Sequence, residues 1–174
     1  MFGCNEQLYC HIPILLMCSI FTAGKKDIEK LTAQKKDFQE ALRMGCYVDQ
    51  PDGEVCTGLG LLYDPKQSMF RDSQVSFPIN QKKANELYKR GCDLGHDKGC
   101  QRLAAYYIKE EKDITKAMHF IERGCELGSA ASCKFAALAY AGKSKDVVLP
   151  VDEAKHNYYL QRLQKVAKFR FGES

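Results

Sequence analysis

Three segments of this chain share one pattern and close on the same dipeptide: Phe38–Cys46, Ala84–Cys92 and Ala117–Cys125, each ending in Gly-Cys. Counting back from each cysteine, Leu42, Tyr88 and Ile121 stand four residues before it, Ala41, Leu87 and Phe120 five, and Phe38, Ala84 and Ala117 eight. Offsets of three and four describe one face of a helix, called helix B here. A second cysteine follows each time, at Cys56, Cys100 and Cys133, and opens another apolar series. Three residues on stand Leu59, Leu103 and Ala136; four on, the small Gly60, Ala104 and Ala137; seven on, Tyr63, Tyr107 and Tyr140. This again is helical spacing, helix A, and a small residue one turn before a tyrosine lets a neighbouring helix come close while the ring fills the adjacent gap. A repeated helix pair cannot bury its apolar faces alone and must stack on its neighbours. The expected fold is therefore all-α, a right-handed α–α superhelix (solenoid) of stacked helix pairs.

The step from Cys92 to Cys125 is 33 residues and that from Cys46 to Cys92 is 46. The longer step carries an insertion from Asp64 to Asn80, with Pro65 and Pro78, which reads as a surface loop. Gly95 and Gly128 lie where a left-handed residue ends a helix B, and Asn80 and Asp113 stand where one is capped at its start. Pro150 and Asp152 announce a last helix over 152–168. Residues 1–13 fit no repeat position, 14–168 form the solenoid, and 169–174 are a tail. Within the first unit, Ile14–Ala23 reads as a helix A without its cysteine. The apolar run Ile12–Phe21 also has the length of a signal-peptide core, although no Lys or Arg precedes it. It is too short to span a bilayer.

Nine cysteines in 174 residues call for an account. One cysteine at the end of each helix B and one at the start of the next helix A become neighbours in a helix hairpin, so bridges Cys46–Cys56, Cys92–Cys100 and Cys125–Cys133 are geometrically reasonable. Each closes a short loop worth about 2.5 kcal/mol in the chain-entropy view. Zinc sites favour closer Cys-Cys spacing with histidines, and the chain has no Cys-x-x-Cys for zinc or thiol redox work. Cys4, Cys10 and Cys18 remain; Cys18 falls in a helix-packing slot, and Cys4 and Cys10 read either as a reactive pair or as part of a tail. Regular disulfides imply an oxidising compartment.

The stretches Ala84–Tyr107 and Ala117–Lys143 resemble cysteine-rich Sel-1-like repeats. Cys92–His96, the long insertion in one repeat and the ending Val151–Lys155 within a cysteine-free last helix are most similar to the mitochondrial branch of that family. The resemblance covers roughly residues 25–168. It implies a protein of the mitochondrial intermembrane space, imported by oxidative trapping, with a part in assembling cytochrome c oxidase (respiratory complex IV) and possible haem binding. Departing from that branch, the N-terminal region is replaced here by residues 1–13. The bacterial secreted or periplasmic members share the cysteine spacing, which keeps a second reading open: a binder of cell-wall or penicillin-type ligands.

The chemistry points to binding. Charged residues make up 28% of the chain and its net charge is +4, with Lys and Arg interleaved with acids, a solvated pattern rather than a nucleic-acid one. Ser-x-x-Lys, His-Glu-x-x-His, Gly-x-Ser-x-Gly, Gly-x-Gly-x-x-Gly and P-loop motifs are all absent from the sequence. Haem attachment through Cys-x-x-Cys-His is absent too, so haem would need an axial side chain such as His96, His119 or His156. The reading is a non-enzymatic monomer with protein partners, no membrane span, and a concave face of stacked A helices near Tyr63, Tyr107 and Tyr140. These tyrosines read first as core. Gly58-Leu59-Gly60 reads as close packing inside a helix A.

Overall fold

The computed structural model describes residues 28–48, 50–66 and 78–171. The expected first helix A, the cysteines Cys4, Cys10 and Cys18, the run Ile12–Phe21 and most of the insertion lie outside these residues. Among the described residues the fold is all-helical, with seven α-helices and no strand. They are α1 (Ile28–Tyr47), α2 (Gly53–Tyr63), α3 (Gln81–Asp93), α4 (Asp97–Tyr106), α5 (Ile114–Glu126), α6 (Ala130–Tyr140) and α7 (Glu153–Phe171). A π-helical turn, Tyr107–Glu111, extends α4. Each helix packs chiefly on its neighbours in sequence, so the contacts are local and repetitive. Helices α1, α3 and α5 are of type B, and α2, α4 and α6 of type A.

The helix ends follow from the residues that bound them. Asn80 Oδ1 accepts from Lys83 N at 3.0 Å, Asp113 Oδ1 from Lys116 N at 2.9 Å and Asp152 Oδ1 from Lys155 N at 3.0 Å. These caps satisfy donors that the first helical turn leaves unpaired. Gly95 and Gly128 hold φ of +93° and +87°, the left-handed geometry that ends α3 and α5. The turn closes when His96 N donates to Gly91 O at 2.9 Å and Ser129 N to Gly124 O at 3.0 Å.

The same register identifies α7. Its cap Asp152 stands twelve residues before Gln164, as Asn80 does before Cys92 and Asp113 before Cys125. Tyr159 then occupies the slot of Leu87 and Phe120, and Leu163 and Gln164 replace the Gly-Cys pair. Helix α7 is a B helix without a clip. No glycine stands three residues past Gln164, where Gly95 and Gly128 end the other B helices, and α7 runs on to Phe171.

Apolar side chains from the facing helices make the interior. One cluster gathers Cys46, Cys56, Leu59, Leu62 and Leu87; a second runs from Ala84 and Tyr88 through Ile121 and Ala136 to Val147 and Tyr159. Tyr63 packs against both and joins them. Burying a Leu- or Ile-sized side chain contributes about 1.5–3 kcal/mol, so these rows supply most of the cohesion between neighbouring helices.

Candidate binding surface

Two kinds of joint alternate along the chain. Where a helix B meets the next helix A, a disulfide joins them: Cys46–Cys56, Cys92–Cys100 and Cys125–Cys133, with Cα separations of 4.7, 4.8 and 4.5 Å. All six cysteines are 0–1% exposed. Glycine makes this approach possible. A Cβ on Gly99 would lie 2.6 Å from Tyr88 O and 2.7 Å from Cys92 N, and one on Gly124 would lie 2.7 Å from Ser132 Oγ, whereas one on Gly91 would meet α2 across the other joint, 2.2 Å from Thr57 Oγ1. The glycine before each first cysteine therefore clears room for a facing helix, for side chains beside Gly45 and Gly124 and for backbone beside Gly91, rather than supplying flexibility. Gly60 does the same in α2, where a Cβ would sit 2.8 Å from the Tyr88 ring. Gly58 does not: nothing lies within 4 Å of the Cβ it lacks, so the close-packing reading holds for one glycine of that pair.

Where a helix A meets the next helix B there is no cysteine, and the tyrosines take over. Tyr63, Tyr107 and Tyr140 each carry a lysine ammonium over the ring: Lys83 at 4.4 Å, Lys116 at 5.4 Å and Lys155 at 4.6 Å from the centroid. Each of these lysines is the residue whose backbone N–H is held by the helix cap described above, so one turn both starts helix B and presents its cation to the tyrosine. Tyr107 also stacks on Phe120 with centroids 5.6 Å apart, and Tyr140 on Tyr159 at 5.8 Å. At the Tyr63 joint that slot holds the aliphatic Leu87, in the cluster against which Tyr63 packs. Tyr140 is 8% exposed, and Tyr63 and Tyr107 are half-buried. The three side chains thus sit inside joints. Tyr140 is closed off there, while Tyr63 and Tyr107 remain partly open to solvent.

Lateral bonds tie like helices together. Between A helices, His96 Nδ1 lies 2.8 Å from Thr57 Oγ1, and Gln101 Nε2 donates to Ser129 Oγ at 2.8 Å. Thr57 donates its hydroxyl proton to Gly53 O at 2.9 Å, so it accepts from His96, which places a proton on Nδ1. Between B helices, Arg90 Nε donates to Cys46 O at 2.9 Å, and Arg162 Nη2 donates to Glu126 O at 3.1 Å, cations at helix C-termini where the dipole favours them.

The side lined by A helices offers two depressions that meet at the exposed Ala105. One, of about 190 Å³, lies between α4 and α6 and is walled by Ala104, Ile108, Ile121, Ala131 and Phe135. Its lining is mainly apolar and its size suits one bulky apolar side chain. The other, of about 200 Å³, lies between α2, α3 and α4 and is polar, with Asp64, Arg102 and Lys109. There Tyr88 donates its hydroxyl to Asp64 Oδ2 at 2.8 Å. Burial, and then the Asp64 carboxylate, push the Tyr88 phenol far above its usual range. Lys66 reaches Glu110 across the mouth. Next to each other, these hollows make a strip with an apolar end and a charged end. The B-helix side carries a wider groove of about 400 Å³ over Tyr106 and Tyr107, rimmed by Lys82, Lys89 and Glu111.

None of these depressions is lined by a histidine. His96 faces Thr57, His156 Nδ1 faces Ala137 O at 2.8 Å, and His119 is exposed beside Phe120. The three stand apart from one another and from these depressions. Among the described residues no three His, Cys, Asp or Glu side chains gather in a metal-ligating cluster, and no helix is long and apolar enough to cross a membrane. Sequence reasoning missed the lysine latch and the strip around Ala105. The latch had a signal: Asn or Asp, then Lys three residues later, at Asn80, Asp113 and Asp152. The strip had only the exposed apolar residue five positions after a helix A cysteine, Ala105 or Leu138, which helical periodicity assigns to solvent. No family model matches the chain, and no curated protein matches it significantly.

Proposed function

We propose that this chain is a non-enzymatic scaffold, a right-handed Sel-1-like solenoid that presents its A-helix strip to a client polypeptide. The observation that carries the reading is the alternation of joints: one buried disulfide at each described B-to-A step and one cation–π latch at each A-to-B step. Buried clips fix the spacing of a binding face and lower the entropic cost of ordering it on binding. Such clips need an oxidising space. Together with the resemblance to the mitochondrial branch, and to cytochrome c oxidase assembly factor seven within it, this favours the intermembrane space and a role in building respiratory complex IV. The client would set an apolar side chain into the hollow beside Ala105 and ion-pair with Arg102 and Lys109.

The test is paired. A C-terminally tagged chain should be protected from protease in intact mitochondria and digested once the outer membrane is opened, and its deletion should lower assembled complex IV. Secretion, or normal complex IV in its absence, would retire the mitochondrial reading and leave the secreted or periplasmic binder suggested by the cysteine spacing and by Ile12–Phe21.

A further inference from the structure

The C-terminal end of α7 differs in charge and exposure from the rest of the molecule. Residues 162–171 contain Arg162, Lys165, Lys168 and Arg170 and no acid. Removing these four from the 26 Lys and Arg leaves 22, equal to the 22 Asp and Glu, so the whole +4 excess of the chain resides on these ten residues. Arg162 is committed to the carbonyls of Cys125 and Glu126. Lys165 and Lys168 are exposed and form no ion pair among the described residues. Between them and beyond them stand Val166 and Phe169, and Phe169 is 93% exposed. Helix-dipole compensation accounts for cations at a helix C-terminus but not for an aromatic ring held in water. Beneath Phe169 lies an open shelf of about 420 Å³ formed with Leu127, Gly128, Arg162, Lys165 and Val166.

We propose that this end of α7 docks the protein on an anionic phospholipid surface: Phe169 enters the acyl boundary while Lys165 and Lys168 hold lipid phosphates. Cations flanking a protruding apolar ring are the arrangement of an interfacial helix, whose lysine stems lie along the apolar surface while their heads stay in water. No described helix can span a bilayer, so the attachment is peripheral and reversible. A protein partner fits less well, because interface cores are depleted of lysine and Phe169 stands beside Lys165 and Lys168. A further repeat does not fit either. The slots that admit a neighbouring helix A, filled by Gly-Cys at the clipped joints, hold Leu163 and Gln164 here, so neither the close approach nor the clip is possible. The proposal does not depend on which compartment holds the protein.

Flotation of the oxidised full chain with vesicles tests it. Vesicles of phosphatidylcholine mixed with phosphatidylserine should carry the protein at least about tenfold better than phosphatidylcholine alone, and added salt should erase the difference. Each basic residue near the surface contributes about fivefold, so K165E/K168E should lose more than about twentyfold, and K165Q/K168Q an intermediate amount. F169S should lose about tenfold. K98E/K134E, at exposed sites on the A helices, should float as well as the wild type, and circular dichroism should show all variants folded. Equal flotation with both vesicle types, or an equal loss in K98E/K134E, overturns the proposal. Absence of flotation overturns it as well; saturable binding to polyglutamate that still requires Lys165 and Lys168 would then assign this end to an acidic protein.

Discussion

Replacing Gly91 by Ala adds one methyl group at the tightest joint. The new Cβ would lie 2.2 Å from Thr57 Oγ1, 2.8 Å from Gly53 O and 3.3 Å from Thr57 N. Two of these atoms belong to backbone. The hydroxyl cannot simply rotate away, because it donates to Gly53 O at 2.9 Å and accepts from His96 Nδ1 at 2.8 Å, and Thr57 is only 4% exposed. The Cys92–Cys100 bridge, one residue on, resists a shift of α3 as a whole. Overpacking a close-packed site costs about 1–3 kcal/mol and an orphaned buried polar group about 1–3 kcal/mol. Set against a helix-propensity gain of up to about 1 kcal/mol, the net loss is about 3 kcal/mol. For a chain of this size that lowers Tm by about 6–12 °C. Gly58→Ala is the internal control. It lies in α2 with open space where its Cβ would go, so only the propensity gain remains, and Tm should rise by about 2–4 °C. Thermal unfolding of both variants, without reductant, gives the comparison. A Gly91→Ala variant as stable as the wild type, or two changes of the same sign, would refute the close-joint account.

Removing the central clip with Cys92→Ala and Cys100→Ala should cost about 2.5 kcal/mol, from a loop of eight residues, read as a fall in Tm of about 5–10 °C. Tyr88→Phe should cost about 1.5–3 kcal/mol, because the Asp64 carboxylate loses a hydrogen bond from a buried phenol. The Tyr88 phenol has its pKa raised by burial and then by Asp64, and Tyr159 by burial and then by Glu122, so both stay protonated longer in the folded state than in the unfolded one. Their stabilisation is complete below the unfolded phenol pKa of about 10 and is lost as pH climbs above it; Tyr88→Phe should flatten that alkaline decline in a series of melts. On the A-helix strip, Ala105→Glu and Ala131→Glu at exposed positions should leave Tm within about 2 °C while lowering assembled complex IV in cells that carry only the variant.

Local order was legible wherever one residue type has one job. Gly-Cys at the end of three helices gave the register, Asn80 and Asp113 gave helix starts, and Gly95 and Gly128 gave helix ends, because each is required by backbone geometry. The last helix was placed from Pro150 and Asp152, but it continues past the expected 168 to Phe171, since Ala167 stands where Gly95 and Gly128 end the other B helices. The joints that depend on two side chains from different helices were less legible. Lys83, Lys116 and Lys155 look like solvated charges until the tyrosine rings beneath them are seen. The same limit applies to the candidate strip around Ala105. Ala105 is a good helix former in any surroundings, and only packing of α4 against α6 makes it the rim of a hollow. The π-helical turn at Tyr107–Glu111, closed by Lys112 at φ 56°, had no sequence signal, because its residues are ordinary helix formers and tertiary contacts decide its pitch.

Disulfide mapping in the protein isolated from its own cells, with free thiols blocked at lysis, tests the clipped scaffold most directly. Digestion without reductant should release three linked peptide pairs, Cys46 with Cys56, Cys92 with Cys100 and Cys125 with Cys133, and leave none of these six cysteines alkylated. Blocked thiols at Cys92 or Cys125 in the folded protein, or bridges that skip between joints, would contradict both the joint architecture and the oxidising compartment that it requires.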